Sequence, residues 1–557
     1  MVTQLSSFAF HGVDARPVSV EVQIAGGANQ FAIVGLPDKA VSEARERVRA
    51  ALSAVGLGLP AKRVTVNLAP ADLPKEGAHF DLPIALGLLV EMGATPRDAL
   101  DGAAVIGELG LDGSIARVDG ALPAAIAARA AGMRLVCPAA NGAEAAWAGG
   151  DLDVIAPTSL IQLVNHFKGA QALSPPQPGG LRDTPASPDL ADVKGQENAR
   201  RALEVAAAGG HNLLMVGPPG AGKSMLAARL PGVLPPLTAG EMLETSMVQS
   251  MAGMLERGRL SPARPFRAPH HSASMAAMVG GGVRARPGEA SLAHNGVLFL
   301  DELPEFAPQV LDSLRQPLET GDVMIARANV RARYPARFQL VAAMNPCRCG
   351  YGRASGRACG RGANCEAAYR ARVSGPLLDR IDITVNLAPV TAADLSRPAT
   401  GEASAAVAER VAAARTAQRE REAAANGAFQ ADNRPHSPPD SLAGDPLLRP
   451  AATHNAALSD ARLAIVAQPD ADGAALLAKA AETLSLSARA YTRILRIART
   501  LADLDGADGV RRRHISEAVS HRSRAGDPAP PNGPVTPSTI EDENRFAGSF
   551  GVTPGAR

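Results

Sequence analysis

The sequence of 557 residues is long enough for three or four domains, each with a hydrophobic core of its own. Its 57 basic and 55 acidic side chains leave a formal net charge of +2, so overall charge gives no argument for a nucleic-acid partner. Aromatic residues make up only 3% of the chain, which argues against an extended stacking surface for single-stranded nucleic acid.

Nothing in the sequence marks a membrane or secreted protein. The chain lacks a run of about eighteen apolar residues, and its first residues lack the basic segment and apolar core typical of a signal peptide. We therefore expect a cytoplasmic protein with no membrane partner.

Periodicity and composition divide the chain into six segments. Alternating apolar residues predict strands at 18–24 and 63–67, and helical spacing predicts a helix at 38–55. In chain order the segments are an α/β domain (1–167), an extended linker rich in Pro, Gly and Ser (168–189), a nucleotide-binding module (190–390), a charged helix followed by a disordered insertion (391–459), a helical module (460–524) and a disordered tail (525–557).

A phosphate-binding loop is the most specific motif. It follows the apolar run 212–216 and fits the pattern G-x-x-x-x-G-K-[ST]. Its glycines let backbone N–H groups surround phosphate oxygens, its lysine neutralises the terminal phosphates, and its serine hydroxyl is suited to Mg²⁺. The predicted ATP-binding residues of this loop are Gly217, Pro218, Pro219, Gly220, Ala221, Gly222, Lys223 and Ser224.

Two further apolar runs end in polar residues that complete the predicted site. The run 297–300 has the length of a buried parallel strand and is followed by Asp301, a predicted Mg²⁺ ligand together with Ser224, and by Glu302, a predicted general base for water. The run 338–344 ends at Asn345, which we interpret as a sensor that positions the hydrolytic water.

Four of the five cysteines, Cys347, Cys349, Cys359 and Cys365, lie close together in the sequence (347–365). In a cytoplasmic chain this clustering favours structural Zn²⁺ over disulfides. The spacing departs from common zinc motifs, so thiols in a flexible loop remain an alternative. The adjacent His270 and His271 lack matching cysteines or acids and are interpreted as structural or pore-facing.

A hairpin is predicted at 322–335, with strands on either side of residues 328–329 and arginines Arg327, Arg331 and Arg333. In a ring such a hairpin would line the pore and contact phosphates without sequence preference. A solvated hairpin whose arginines pair with subunit neighbours is an equal alternative.

Several motifs together resemble the YifB/ComM group of magnesium-chelatase-like AAA+ ATPases, over nearly the whole chain from Leu5 to about Arg522. The motifs that carry the resemblance are Ala32–Asp38, Asn67–Asp72, Ala268–Ser272, Leu300–Pro304, Met344–Cys347 and Ser374–Asp382.

The resemblance implies a Lon-protease-like α/β domain of the ribosomal S5 type, an AAA+ P-loop core with a parallel sheet, and a C-terminal helical lid. It also implies a homo-hexamer in which Arg380 is an arginine finger acting on the neighbouring subunit, and in which Arg489 is the second sensor, with Arg493 as its rival. For the ComM members it implies an ATP-driven DNA helicase that promotes branch migration while transforming DNA is integrated, with recombination proteins as further partners.

Protease activity is not expected from the first domain. Lon-type proteases use a serine and a lysine, but the corresponding run Lys75–Asp81 has no serine, and the segment Val118–Pro123 has no lysine. We interpret this domain as a scaffold for DNA or for ring assembly.

Two other classes of function fit the same core. One is a chelatase-like or remodelling motor that acts on a protein partner. The other is a nucleotide-switched binding scaffold, which is less favoured because Glu302, Asn345 and Arg380 form a more complete hydrolytic set than a switch requires.

Overall fold

The computed structural model describes residues 2–184, 187–282, 285–326, 331–350, 363–396, 401–432 and 454–522. Within these ranges no helix combines the length and apolar character needed to cross a bilayer. The fold is mixed α/β, with a parallel sheet in its middle part and helices at its C-terminal end.

The described part of the first domain contains nine strands and five α-helices, with three 3-10 turns besides. The strands are β1 (Thr3–His11), β2 (Asp14–Ala25), β3 (Gln30–Val34), β4 (Arg63–Ala69), β5 (Ala103–Val105), β6 (Glu108–Leu109), β7 (Ile115–Ala116), β8 (Arg134–Val136) and β9 (Val154–Ile155). The helices are α1 (Lys39–Ala54), α2 (Asp81–Glu91), α3 (Ala121–Ala130), α4 (Ala139–Ala145) and α5 (Leu160–Phe167).

Seven of these strands form one mixed sheet in the order β3-β4-β2-β1-β5-β8-β9. The predicted strands at 18–24 and 63–67 correspond to β2 and β4, which pair antiparallel, and the predicted helix corresponds to α1, whose N-terminus is capped by Asp38. The apolar helix α2 is buried along its length because it packs against β1 and β2 beneath the sheet. The two predicted strands, β2 and β4, and the predicted helix α1 are therefore confirmed.

Two side chains from the segments that lack the protease serine and lysine are buried. His79, in the run Lys75–Asp81, is buried, and its Nε2 lies 2.8 Å from the Phe8 carbonyl oxygen. Leu122, in the segment Val118–Pro123, is fully buried in a cluster with side chains of the second domain.

The linker has no helix or strand in its described residues before Asp189, and it lies against the second domain. Arg182 donates from its backbone N–H to the Leu260 carbonyl (2.7 Å) and from its guanidinium to the Met254 carbonyl (3.2 Å).

The second domain is built on a parallel sheet. Its strands are β10 (Leu213–Val216), β11 (Phe266–Arg267), β12 (Gly280–Gly281), β13 (Arg286–Pro287), β14 (Val297–Leu300), β15 (Asp322–Ala326), β16 (Arg331–Pro335), β17 (Gln339–Met344) and β18 (Ile383–Asn386). Its helices are α6 (Glu197–Gly209), α7 (Lys223–Ala227), α8 (Leu230–Val233), α9 (Ala239–Met251), α10 (Met275–Val279), α11 (Glu289–Leu292), α12 (Pro308–Ser313), α13 (Arg315–Thr320), α14 (Ala363–Arg370), α15 (Gly375–Leu378) and α16 (Ala392–Ser396).

Five strands of this domain pair in parallel, in the order β11-β14-β17-β10-β18. Strands β10, β14 and β17 are buried throughout, which explains their continuous apolar sequence. Their carboxyl ends share one edge of the sheet, where ligands of such folds bind.

The C-terminal helices are α17 (Ser404–Asp432), α18 (Asp460–Val466), α19 (Ala471–Thr483), α20 (Ala488–Leu504) and α21 (Arg512–Ser520). Helix α17 reaches Asp432, so the beginning of the stretch predicted to be a disordered insertion is helical, and residues 433–453 lie outside the described residues. Helices α17 and α20 pack on α6, and their apolar residues share one core with β10. The helical lid is therefore packed on the parallel-sheet domain.

Candidate nucleotide-binding site

The phosphate loop connects β10 to α7 at the carboxyl edge of the parallel sheet. Gly220 and Gly222 adopt left-handed backbone angles (φ 79° and 92°), which residues other than glycine rarely adopt. These angles turn the chain tightly before α7. Lys223 is only 9% exposed. Its ammonium donates to the carbonyls of Gly217 (2.7 Å) and Pro218 (3.0 Å) and to Oδ1 of Asn345 (2.9 Å).

The predicted magnesium ligands are adjacent. Ser224 donates a 2.6 Å hydrogen bond to Oδ2 of Asp301. The contact follows from the sheet, because β14 and β10 flank β17 in parallel and end at the same edge. A hydroxyl and a carboxylate are hard oxygen donors that suit Mg²⁺, so the residues present fit the ion.

Glu302 and Asn345 lie at the same edge. Glu302 is half exposed, has a left-handed backbone (φ 52°) and donates from its N–H to Asp301 Oδ1 at 2.9 Å. Burial lowers the pKa of Lys223, while the carboxylates of Asp301 and Glu302 act in the opposite direction. Lys223 therefore interacts electrostatically with Asp301 and Glu302, the predicted general base, and is hydrogen-bonded to Asn345, the predicted sensor.

The predicted arginine finger, the predicted second sensor and its rival lie away from the phosphate loop. Arg380, Arg489 and Arg493 line a cleft of about 670 Å³ together with Asn212 and Gln339. Asn212 precedes β10 and Gln339 begins β17, so the cleft lies at the amino edge of the sheet, across the length of the strands from the phosphate loop. None of these arginines is placed at the phosphate loop of its own chain.

Arg380 and Arg493 are held by neighbouring groups. Arg380 donates to the Pro376 carbonyl (2.6 Å) and to the Glu319 carboxylate. Arg493 lies 3.4 Å from Asp382, and burial lowers its pKa despite that carboxylate. Arg489 is exposed, and within the described chain its guanidinium has no ion pair.

Three of the four clustered cysteines come together. The Sγ atoms of Cys347, Cys349 and Cys365 lie within 4.8 Å of one another, and those of Cys347 and Cys349 are 2.7 Å apart. The fourth predicted ligand, Cys359, lies outside the described residues. A tight thiolate group of this kind fits Zn²⁺.

The cysteine loop also touches the phosphate loop. Cys347 comes two residues after Asn345, and Gly350 lies so close to Pro219 that a Cβ on this glycine would be 2.8 Å from the proline ring. A change in the segment 347–350 would therefore alter the surroundings of both Asn345, the predicted sensor, and the phosphate loop.

The predicted hairpin is formed by β15 and β16, which pair antiparallel, while its turn and Arg327 lie outside the described residues. Arg331 is exposed. Arg333 forms an ion pair with Asp322 at 2.6 Å, and its backbone bridges to Gly12 of the first domain. One arginine of the hairpin, Arg333, is thus paired within the hairpin itself.

One residue beside the site, His271, could not be placed there from the sequence motifs. Nδ1 of His271 lies 3.7 Å from Oε2 of Glu302. The interpretation of His271 as structural or pore-facing did not include this contact, because the contact depends on the pairing of β11 with β14 rather than on local sequence.

A phosphate loop after β10 and an acidic pair after β14, in a parallel sheet of this order, define a P-loop ATPase fold. Comparison with known families agrees with this class. The profile of magnesium chelatase subunit ChlI matches residues 189–395, that of subunit ChlI of Mg-chelatase matches 20–141, and that of the ChlI C-terminal part matches 401–522.

The chain is also similar to individual proteins. It is 42% identical over 514 residues to YifB of Escherichia coli strain K12, an uncharacterized protein, covering 92% of this chain and 95% of that protein. It is 42% identical over 529 residues to the competence protein ComM of Haemophilus influenzae, covering 93% and 96%. Similarity to the magnesium-chelatase 38 kDa subunit of Rhodobacter capsulatus is 29% over 188 residues, covering 31% and 53%.

The chain therefore belongs to the YifB/ComM family of magnesium-chelatase-like AAA+ ATPases.

Proposed function

We propose that this protein is a ring-forming AAA+ ATPase that couples ATP hydrolysis to movement along DNA. Residues 217–224 hold the triphosphate, Ser224 and Asp301 hold Mg²⁺, and Asn345 fixes the attacking water while Glu302 accepts its proton. Magnesium supplies charge neutralisation on the phosphates when it is bound.

The observation that carries this proposal is the separation of the arginines from the phosphate loop. Arg380 and Arg489 lie in the cleft at the amino edge of the sheet, and Lys223 lies at the carboxyl edge. From this cleft neither arginine is placed to stabilise a phosphoryl group at the phosphate loop of its own chain, which supports action on the site of a neighbouring copy, as arginine fingers do in trans. We propose a homo-hexamer in which both arginines reach the neighbouring site.

Between the rival sensors, Arg489 is favoured over Arg493. Arg489 is exposed and has no ion pair among the described residues, whereas the side chain of Arg493 is 11% exposed and paired with Asp382. Arg380 is also paired, with Glu319, so it would have to leave that carboxylate to act as the finger.

DNA is the proposed substrate for the motor. The exposed Arg331 on β16 gives a contact for phosphates that does not depend on sequence, and the relative from Haemophilus influenzae is a competence protein. We propose strand displacement or branch migration in the cytoplasm while transforming DNA is integrated, with recombination proteins as partners.

The cysteine cluster is proposed to bind one structural Zn²⁺. Thiolates of Cys347, Cys349 and Cys365 would hold the ion beside the phosphate loop, with Cys359 as the fourth ligand predicted from the sequence.

The test is a strand-displacement assay on forked and four-way DNA with ATP, using Glu302→Gln as the inactive control, at low and moderate salt. We expect ATP-dependent strand movement with the parental protein and none with Glu302→Gln. ATPase activity with neither DNA binding nor strand movement at any salt concentration would contradict it.

That outcome would favour a second candidate, a motor acting on a protein partner. The partial similarity to a magnesium-chelatase subunit supports this alternative. A co-purifying protein that stimulates ATP hydrolysis when DNA does not would decide for it.

A further inference from the structure

The turn between β1 and β2 reaches from the first domain to the hairpin formed by β15 and β16. Gly12 in this turn forms a parallel backbone bridge with Arg333 on β16. Its backbone is left-handed (φ 73°), and a Cβ at this position would lie 2.6 Å from the carbonyl carbon of Arg333 and nearer still to the carbonyl oxygen. The two backbones are therefore so close that a side chain at residue 12 would not fit between them.

The next residue, Val13, anchors the turn in the second domain. Its side chain packs against the apolar cluster that contains Ala332 and Tyr334 of β16. Along β16 these buried side chains alternate with Arg331 and Arg333, which are exposed. The turn therefore joins the core beneath the hairpin, while the two arginines on the opposite face stay open to a ligand.

A second contact joins the first domain to the neighbouring hairpin of β12 and β13. Asp119 of the first domain forms a 3.0 Å ion pair with Arg286 of β13. This short hairpin packs on β15, since a Cβ on Gly280 would lie 2.8 Å from Cδ1 of Ile325. The first domain therefore contacts both hairpins, and the hairpins contact each other.

Within the first domain the turn is supported by the segment Lys75–Asp81. His79 of this segment is buried, and its Nε2 lies 2.8 Å from the Phe8 carbonyl oxygen of β1. Its ring lies 5.2 Å from that of Phe10, two residues before Gly12. Strands β1 and β2 stay paired up to the turn itself. The core of the first domain thus presents the turn to β16 in a fixed position.

We propose that Gly12 and Val13 are positioning residues of the motor: through them the first domain holds the β15–β16 hairpin so that its exposed arginine face meets DNA. A two-stranded hairpin has little stability of its own, so the position of its outer strand depends on what packs against it. When the hairpin is held in this way, an ATP-driven movement of the subunit moves the bound DNA rather than bending the hairpin. The inference rests on the proposed contact of Arg331 with DNA.

The amount of strand displaced per ATP hydrolysed, measured on forked DNA, tests this role. Gly12→Ala should lower this ratio about tenfold, because the methyl group forces β16 away from the turn, while DNA-free kcat and KM for ATP keep their parental values. Gly93→Ala is the matched control. Gly93 lies in the first domain with the same φ of 73°, but no described atom beyond its chain neighbours lies within 4 Å of a Cβ there. It should keep the parental ratio.

Val13→Ala removes two methyl groups from the same contact without a backbone clash, so it tests the role even if Gly12→Ala does not fold. It should lower the ratio about two- to fivefold. Val34→Ala, at an exposed valine on β3, is its control and should not. Hydrogen exchange of residues 331–335, followed by mass spectrometry, should be faster in Gly12→Ala and Val13→Ala and unchanged in the two controls.

The outcomes separate this inference from the proposed function. If the parental protein moves DNA, and Gly12→Ala and Val13→Ala either leave hydrogen exchange in β16 unchanged or keep the parental ratio, the inference is wrong and the proposed function stands. An equal fall in DNA-free kcat would mean a general structural effect and would also contradict the inference. If the parental protein hydrolyses ATP but moves no DNA, the proposed function is wrong and the inference falls with it.

Discussion

Lys223 shows what ATP has to displace at the site. Its ammonium is bonded to two carbonyls of the phosphate loop and to Asn345, so a nucleotide must replace contacts that already satisfy a buried charge. The bond from Lys223 to Asn345, the proposed sensor, also means that removing Lys223 frees the Asn345 side chain. Loss of the lysine should therefore affect binding and sensing together.

Lys223→Ala should abolish ATP binding, whereas Glu302→Gln should bind ATP but slow its hydrolysis by about 10²-fold or more, since the carboxylate acts on water. Binding of a fluorescent ATP analogue and phosphate release measure the two effects separately. Lys39→Ala, on the exposed face of α1, is the control and should change neither. Parental hydrolysis by Glu302→Gln would rule out its catalytic role.

His79 should make the first domain sensitive to acid. Burial lowers its pKa to about 4, below the value near 6.5 of an unfolded chain, so the unfolded state binds the proton more readily. Its contribution is complete above about pH 6.5 and is lost as the pH falls toward 4, with a total of roughly 3 kcal/mol.

Urea unfolding followed by the fluorescence of Trp147, the one tryptophan of the chain, measures this loss. As the pH is lowered from 7.5 to 5, the urea concentration at the unfolding midpoint should decrease more steeply in the parental protein than in His79→Gln. His270→Gln, on an exposed loop, should keep the parental slope. Equal slopes for parental protein and His79→Gln would show that this histidine does not contribute.

At the scale of elements, the sequence predicts best where an apolar run and a motif adjoin. Strands β10, β14 and β17 are buried runs followed directly by motif residues, so their ends could be placed from the sequence. Strand β11 has only two residues and carries no such pattern, so the approach of His271 to Glu302 could not be predicted. The difference between Arg489 and Arg493 likewise depends on Asp382, a partner distant in sequence.

The cysteine loop should couple metal binding to ATP turnover. The parental protein should carry about one Zn²⁺ per chain, and Cys365→Ser should lose the metal and turn over ATP more slowly, because the loop contacts Pro219 and follows Asn345. Elemental analysis and phosphate release measure both effects. Cys137→Ala is the control, since this thiol is buried in the first domain. Parental protein with less than about 0.2 zinc per chain after chelator-free purification would favour the thiol alternative.

The hairpin of β15 and β16 should contact DNA unequally through its arginines. Arg331→Ala should weaken binding and reduce the slope of log affinity against log salt by about one unit, as the loss of one phosphate contact does. Arg333→Ala should have a smaller effect because Arg333 is paired with Asp322. Fluorescence anisotropy over a salt series measures both, with Arg45→Ala on α1 as the control. An unchanged slope for Arg331→Ala would favour the solvated hairpin.

At the scale of the whole molecule, the nucleotide-binding motifs and the proposed catalytic arginines lie at opposite edges of the parallel sheet. The phosphate loop and Glu302 lie at the carboxyl edge of the sheet, and Arg380 lies in the cleft at the amino edge with the exposed Arg489. The first domain packs on the second through a buried carboxylate, Glu144, which accepts from Ser250 of α9 and from the Leu122 N–H (3.2 Å). In the proposed ring, each edge of the sheet would face a different neighbouring subunit.

Mixing two inactive proteins tests that geometry. Arg380→Ala should bind ATP nearly as the parental protein does but hydrolyse it about 10³-fold more slowly or worse, because its target is the next subunit. Lys223→Ala keeps the finger but binds no ATP. When the two are mixed, an Arg380→Ala subunit that holds ATP beside a Lys223→Ala neighbour regains a complete site, so part of the activity should return. The same mixture with Lys223→Ala/Arg380→Ala in place of the single lysine variant supplies no finger and should stay inactive. Absence of rescue, with co-assembly demonstrated by mass photometry, would mean that Arg380 does not act across the interface.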